Sequence, residues 1–177
     1  RDGGLGANIR RGAGGAWING IIARWPESAI SVFQQETADR LTADSLDIRN
    51  VFLVDNARSS DEVGADAAAD VNARRFFQQA RWSGRSIDSA STATNDVFTS
   101  VPASSITIAT GTVFDFTPVS ASPARTGGLV ALTPRIAARA TGFFNGTLAG
   151  TAYRGAADPA IALSGQWWTG WTSYRRN

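Results

Sequence analysis

The chain has 177 residues, and its 17 basic and 15 acidic groups leave a net charge of +2; that length suits one domain burying roughly 70% of its unfolded surface. It contains no His, Cys or Met, and every basic residue is Arg. Imidazole bases, Schiff-base lysines, thiolate nucleophiles and zinc–thiolate sites are therefore excluded, and disulfides say nothing about compartment.

Taken in order, Arg1 to Gly15 is glycine-rich, with a short strand predicted over Ala7 to Arg11. GLGANI from Gly4 has two glycines of a dinucleotide fingerprint, but Ile9 stands where the third belongs. GAGGAW from Gly12 fails likewise at Trp17, and no helical pattern follows either, so tight turns account for these glycines. The start at Arg1, without Met or a charged-then-apolar leader, suggests a processed chain or part of a longer precursor. No run reaches the ~18 apolar residues that cross a bilayer.

The strongest pattern lies in Ala16–Trp25, Ala29–Phe33 and Leu46–Val54, with Pro26 in the corner between the first two because it cannot donate to a ladder. Aligned on Asn19 and Asn50, Trp17-x-Asn19-x-Ile21 repeats as Ile48-x-Asn50-x-Phe52. Alternating positions share a face, and stacked Asn amides would satisfy each other in an apolar row. Successive turns of a parallel solenoid result, with Gln34 to Ser45 as a polar loop between them. Two strands of a sandwich are the alternative that such short apolar runs leave open.

Ser59-Ser60-Asp61-Glu62 reads as a helix start, with a hydroxyl cap and acids in the first turn, so residues 57–84 are predicted to form a lateral helix ending near Gly84. Val97–Phe98, Ser105–Ala109 and Thr112–Phe116 are short β candidates in an irregular stretch, and Leu129 to Ala140 fits a strand or a short helix equally. The end, residues 141–177, is dense in aromatics: Phe143, Phe144, Tyr153, Trp167, Trp168, Trp171 and Tyr174. Burial of so many rings predicts a cap.

The segments GLGANIRRGAGGAWINGIIARWPESAISVF, LDIRNVFLVDN, FDFTPVSASPA and FFNGTLAGTAYRGAADP with WWTGWTSY occur in that order. Together they resemble the C-terminal part of a family of largely uncharacterised secreted right-handed parallel β-helix-like proteins of Gram-negative environmental bacteria. The Tyr153–Ala156 segment and WTGWT from Trp168 carry the most specific likeness. The resemblance implies fold and location but no catalytic residues. The expected architecture is thus one mainly β domain, a partial right-handed parallel β-helix (solenoid), with rungs in 1–56, the lateral helix in 57–84, irregular β segments in 85–140 and the aromatic cap in 141–177. A stack of so few rungs also leaves an open first edge for a partner to cover.

Candidate sites follow from what remains. Carboxylate or Arg chemistry, as in glycosidases and β-helix polysaccharide lyases, would draw on Asp47 and Asp55 with Arg10, Arg11 or Arg49. Asp47 and Arg49 sit two apart on an outward face, which fits an ordinary surface ion pair as well. Asp61, Asp66 and Asp70 lack calcium-loop spacing, and first-turn acids complementing the helix dipole explain Asp61 without a metal. The binding candidates are Trp167, Trp168, Trp171, Tyr174, Arg175 and Arg176, because Trp and Tyr anchor interfaces or stack on sugars. Scattered Arg pairs do not make a nucleic-acid face.

The chain therefore reads as a non-catalytic extracytoplasmic protein, periplasmic, cell-surface or secreted. It needs no cofactor or metal, does not itself span a membrane, and is completed by another protein: the upstream half of a precursor, a second copy, or a membrane-complex subunit. A carbohydrate-binding or polysaccharide-degrading module is one alternative. An accessory subunit docked on the periplasmic face of a membrane complex is another.

Overall fold

The structure, a computed structural model, describes residues 4–57, 60–63, 82–90, 94–101, 114–143 and 146–170. Its first half runs through β1 (Leu5–Ile9), β2 (Gly15–Ile18), β3 (Ile21–Ala23), β4 (Ser28–Phe33), α1 (Gln35–Thr42), β5 (Leu46–Arg49), β6 (Phe52–Val54), β7 (Ser60–Val63) and β8 (Asp88–Ala90). These strands build small parallel sheets in the orders β1-β4-β7, β2-β5 and β3-β6-β8. The register pairs Trp17 with Ile48 and Ile21 with Phe52, the same 31-residue offset that separates Asn19 from Asn50.

Why the strands stay short is visible in the backbone. Asn19, Arg24, Asn50, Asp55 and Ser86 all take left-handed φ values, between 51° and 63°. The first four each follow the end of a strand and Ser86 shortly precedes β8, all turning the chain in a conformation that Asn and Asp tolerate better than most residues. Asn19 and Asn50 are therefore corner residues and not members of an apolar row. The stacked-amide ladder is replaced by bonds to a distant segment: Asn19 to Leu129 and Thr151, Asn50 to the Gly127 carbonyl.

The second pass of strands is the core. Ile30, Val32, Leu46, Ile48 and Leu53 are buried, joined by Leu41 from α1 and by Trp82. Helix α1 forms where the sequence suggested a polar loop. Ala38 and Leu41, three apart, are buried with Thr37, and Gln35 donates to Asp39 one turn on across the exposed face. Acidic Glu36 in the first turn and Arg40 in the last complement the helix dipole.

The expected right-handed parallel β-helix is corrected by these observations. The described strands form separate sheets of two or three strands, and no closed or solenoid sheet is present among the described residues. The offset between partners drifts from 31 for β3–β6 to 36 for β6–β8, and the pairings described beyond β8 are antiparallel, an isolated Phe98–Pro118 bridge and one short hairpin. The lateral helix is corrected at its start, because Ser60–Val63 pairs as a strand with β4: the Ile30–Phe33 edge offers backbone partners that a hydroxyl cap cannot match. Its remainder, like Ser105–Ala109, lies outside the described residues except for 82–84.

The described residues of the second half are mostly irregular. Helix α2 (Pro134–Ala140) settles the ambiguous stretch, with Pro134 in its first turn and the Thr133 hydroxyl accepting from Ile136 N–H. Strands β9 (Thr141–Phe143) and β10 (Gly146–Thr147) pair antiparallel. Of the aromatic tail expected to cap the strand stack, residues 146–170 run beside the β2–β3 corner, where Gly155 N–H donates to the Asn19 carbonyl, while Phe144, Trp171 and Tyr174 lie outside the described residues.

Candidate functional site

Two neighbouring features meet at that corner. The first is the edge formed by β1, β2 and β3, each of which is the terminal strand of its sheet among the described residues. Burial is uneven along this edge, with Ala7 and Ile9 of β1 buried and β2 the most open of the three. Ile48 and Phe52 are 2% exposed, whereas Trp17, in the same row as Ile48, is 49% exposed. A pocket of about 180 Å³ lies between the three strands, lined by Ala7 and Ile9 of β1, Trp17 and Ile18 of β2, and Ile21 and Ile22 of β3. Ile30 and Ile48 of the second pass also line it.

The second feature is a cleft of about 840 Å³. Ile18 and Ile21 form one side, Phe98, Phe116 and Pro118 another, and Leu148, Trp167 and Trp168 the rest of its apolar wall. Phe116, Leu148 and Trp167 are exposed, while Trp168 is buried. The rings meet edge to face, Phe116 to Trp168 at 6.2 Å and Trp167 to Trp168 at 5.6 Å, the arrangement that aromatic quadrupoles favour. Trp167 is fixed further by its indole N–H donating to the Ala156 carbonyl at 3.0 Å.

The polar side chains that reach the cleft are already engaged. Asn19 donates to Thr151 Oγ1 at 3.0 Å, and its Oδ1 accepts from Leu129 N–H at 2.6 Å. Thr151 Oγ1 donates to the Tyr153 carbonyl. Arg154 is buried, donates to Asp88 and to the Gly127 carbonyl, and lies 5.7 Å from the centre of the Phe52 ring. Nearby, burial raises the Tyr153 phenol above its usual value, and the Asp158 carboxylate adds to the rise.

Of the carboxylate–Arg candidates, Asp47 and Arg49 come together. Asp47 is buried, not outward as its spacing suggested, because Arg85 arrives from the far side of β5: Arg85 Nη1 lies 2.5 Å from Asp47 Oδ1 and Nη2 2.5 Å from Asp44 Oδ1. Arg49 Nε completes the pairing with Asp47 at 2.7 Å. Asp55 instead accepts from Thr94 Oγ1 at 2.6 Å. Arg10 is exposed, and Arg11 uses its backbone N–H to bind Gln34. Among the described residues no cluster of His, Cys, Asp and Glu is placed to hold a metal, and no helix is long and apolar enough to cross a membrane.

Of the predicted binding residues, Trp167 and Trp168 come together in the cleft; Trp171, Tyr174, Arg175 and Arg176, with Asp66 and Asp70, lie outside the described residues. Phe116, Leu148 and Arg154 were not singled out from the sequence. The Tyr153–Ala156 segment was the available signal, since it carries both buried Arg154 and Gly155, at φ 93°.

No family model, no curated protein and no solved structure matches this chain.

Proposed function

We propose that this is a non-catalytic binding protein acting outside the cytoplasm, completed by another polypeptide that docks on the edge of β1, β2 and β3. The observation that carries this reading is the contrast in one row of side chains, Ile48 buried and Trp17 half-exposed. A polypeptide suits the edge chemically. Terminal strands present N–H and C=O groups spaced for an extended backbone, and the pocket between them accepts an apolar side chain. The resemblance in the sequence to secreted proteins supports the extracytoplasmic setting. Stacking of a sugar on Trp167 is less well supported, because the polar groups of the cleft already have partners.

The test is a photo-crosslinking residue placed at Trp17, with the exposed Val130 as control position, followed by native purification from the source cells. A single crosslinked polypeptide at Trp17, and none at Val130, is the expected result. A chain that purifies alone and monomeric, without a crosslink, would overturn the reading.

A further inference from the structure

The pocket at the strand edge and the aromatic cleft share Ile18, Gly20 and Ile21, yet they offer different chemistry. The edge is made of strands terminal in their sheets among the described residues; the cleft wall is mostly apolar, and Asn19, Thr151 and Arg154 in its lining are committed to protein partners. An extended polypeptide pressed into the cleft would lose the hydration of its own amides against a mostly apolar wall whose Asn19, Thr151 and Arg154 side chains are already engaged. Each amide left unpaired costs roughly 1–3 kcal/mol. A molecule without amides escapes that cost.

We propose that the cleft is a separate binding site for a lipophilic small molecule with a long hydrocarbon chain, its polar end left at the mouth beside exposed Leu148 and Ala149. The volume, about 840 Å³, falls within the roughly 300–1,000 Å³ typical of small-ligand sites. It is far larger than the pocket of about 180 Å³ at the strand edge. Trp167 and Phe116, exposed and held by ring contacts and by the Trp167–Ala156 bond, give a preformed wall, so little ordering accompanies binding. Leu148 faces them from the tail segment.

Stearate carrying two bromines on its chain serves as the probe, because bromine quenches indole fluorescence on contact. Saturable quenching is expected in the full chain. Ala149→Trp should fill the mouth and weaken binding roughly tenfold or more, whereas Val130→Trp, exposed and outside the lining, should leave it unchanged. Circular dichroism and urea unfolding establish that both variants are folded; should Ala149→Trp fail that check, Leu148→Arg replaces it, with the same weakening expected. Absence of saturable quenching, or equal titrations for the cleft and control variants, overturns the proposal. If the cleft variants spare stearate but abolish the Trp17 crosslink, the cleft belongs to the polypeptide interface and the lipid assignment falls. Crosslinking at Trp17 is read independently, so either result stands without the other.

Discussion

Asn19 holds the N-terminal strands to the C-terminal segment, and its replacement should be measurable. The side chain is 9% exposed and engages Leu129 N–H at 2.6 Å and Thr151 Oγ1 at 3.0 Å, with longer contacts to the carbonyls of Leu129 and Thr151. Asn19→Gly keeps the left-handed backbone but strands the Leu129 N–H, a loss of about 2 kcal/mol. Asn19→Ala loses the same bonds and adds about 1 kcal/mol for a Cβ at φ 55°, about 3 kcal/mol in total. Asn19→Asp keeps the acceptor but turns a carboxylate toward two carbonyl oxygens, so it should be no better than Gly. Urea unfolding followed by tryptophan fluorescence gives these values, provided the slope is unchanged. An Ala variant as stable as the parent, or more stable than the Gly variant, would refute the corner-latch reasoning.

Four further outcomes are expected. Arg85→Met should cost up to about 3–5 kcal/mol, because buried Asp47 is left with Arg49 alone, and adding Asp47→Leu should recover part of the loss in the same assay. Gly150→Ala should destabilise by about 1–3 kcal/mol or more, since a Cβ there falls on the carbonyl oxygens of Leu129 and Val130; thermal unfolding measures it. Trp17→Ala should barely change the isolated chain but weaken partner binding by about 2.5 kcal/mol, from half of a roughly 200 Å² side chain at about 25 cal/mol/Å², as read by titration calorimetry with the crosslinked partner. In a Tyr174→Phe background the Tyr153 phenol should ionise above its usual range, as burial and Asp158 require. Because the neutral phenol is favoured in the fold, its stabilising effect holds below pH ~10 and is lost as pH rises through the raised value; phenolate absorbance checks this, with Asp158→Asn lowering the midpoint.

The parallel pairing at a 31-residue offset was legible because Trp17-x-Asn19-x-Ile21 and Ile48-x-Asn50-x-Phe52 repeat the same shape. The role of the two Asn was not, because alternation cannot distinguish a strand residue from a left-handed corner within one position. Helix α1 was hidden by composition: QETADRLT carries only Ala38 and Leu41 as apolar signals. Ser60–Val63 shows the opposite failure, in which a good helix start yields to a strand edge waiting in β4. The site was half legible. Trp167 and Trp168 declared themselves as aromatics, but Leu148 and Phe116 are ordinary apolar residues, and only the folded chain brings them together. Burial of Asp47 was hidden for a related reason, since its decisive partner, Arg85, is 38 residues away.

The latch at Asn19 also sets an order on synthesis. Its partners Leu129 and Thr151 lie 110 and 132 residues downstream, so at about 5–20 residues per second the corner waits roughly 6–26 s for them to be made. Through that interval β1, β2 and β3, the terminal strands of their sheets among the described residues, are available to whatever else the cell presents. A polypeptide that binds this edge could therefore engage the nascent chain before the tail arrives, which makes assembly during translation a physical option for this molecule.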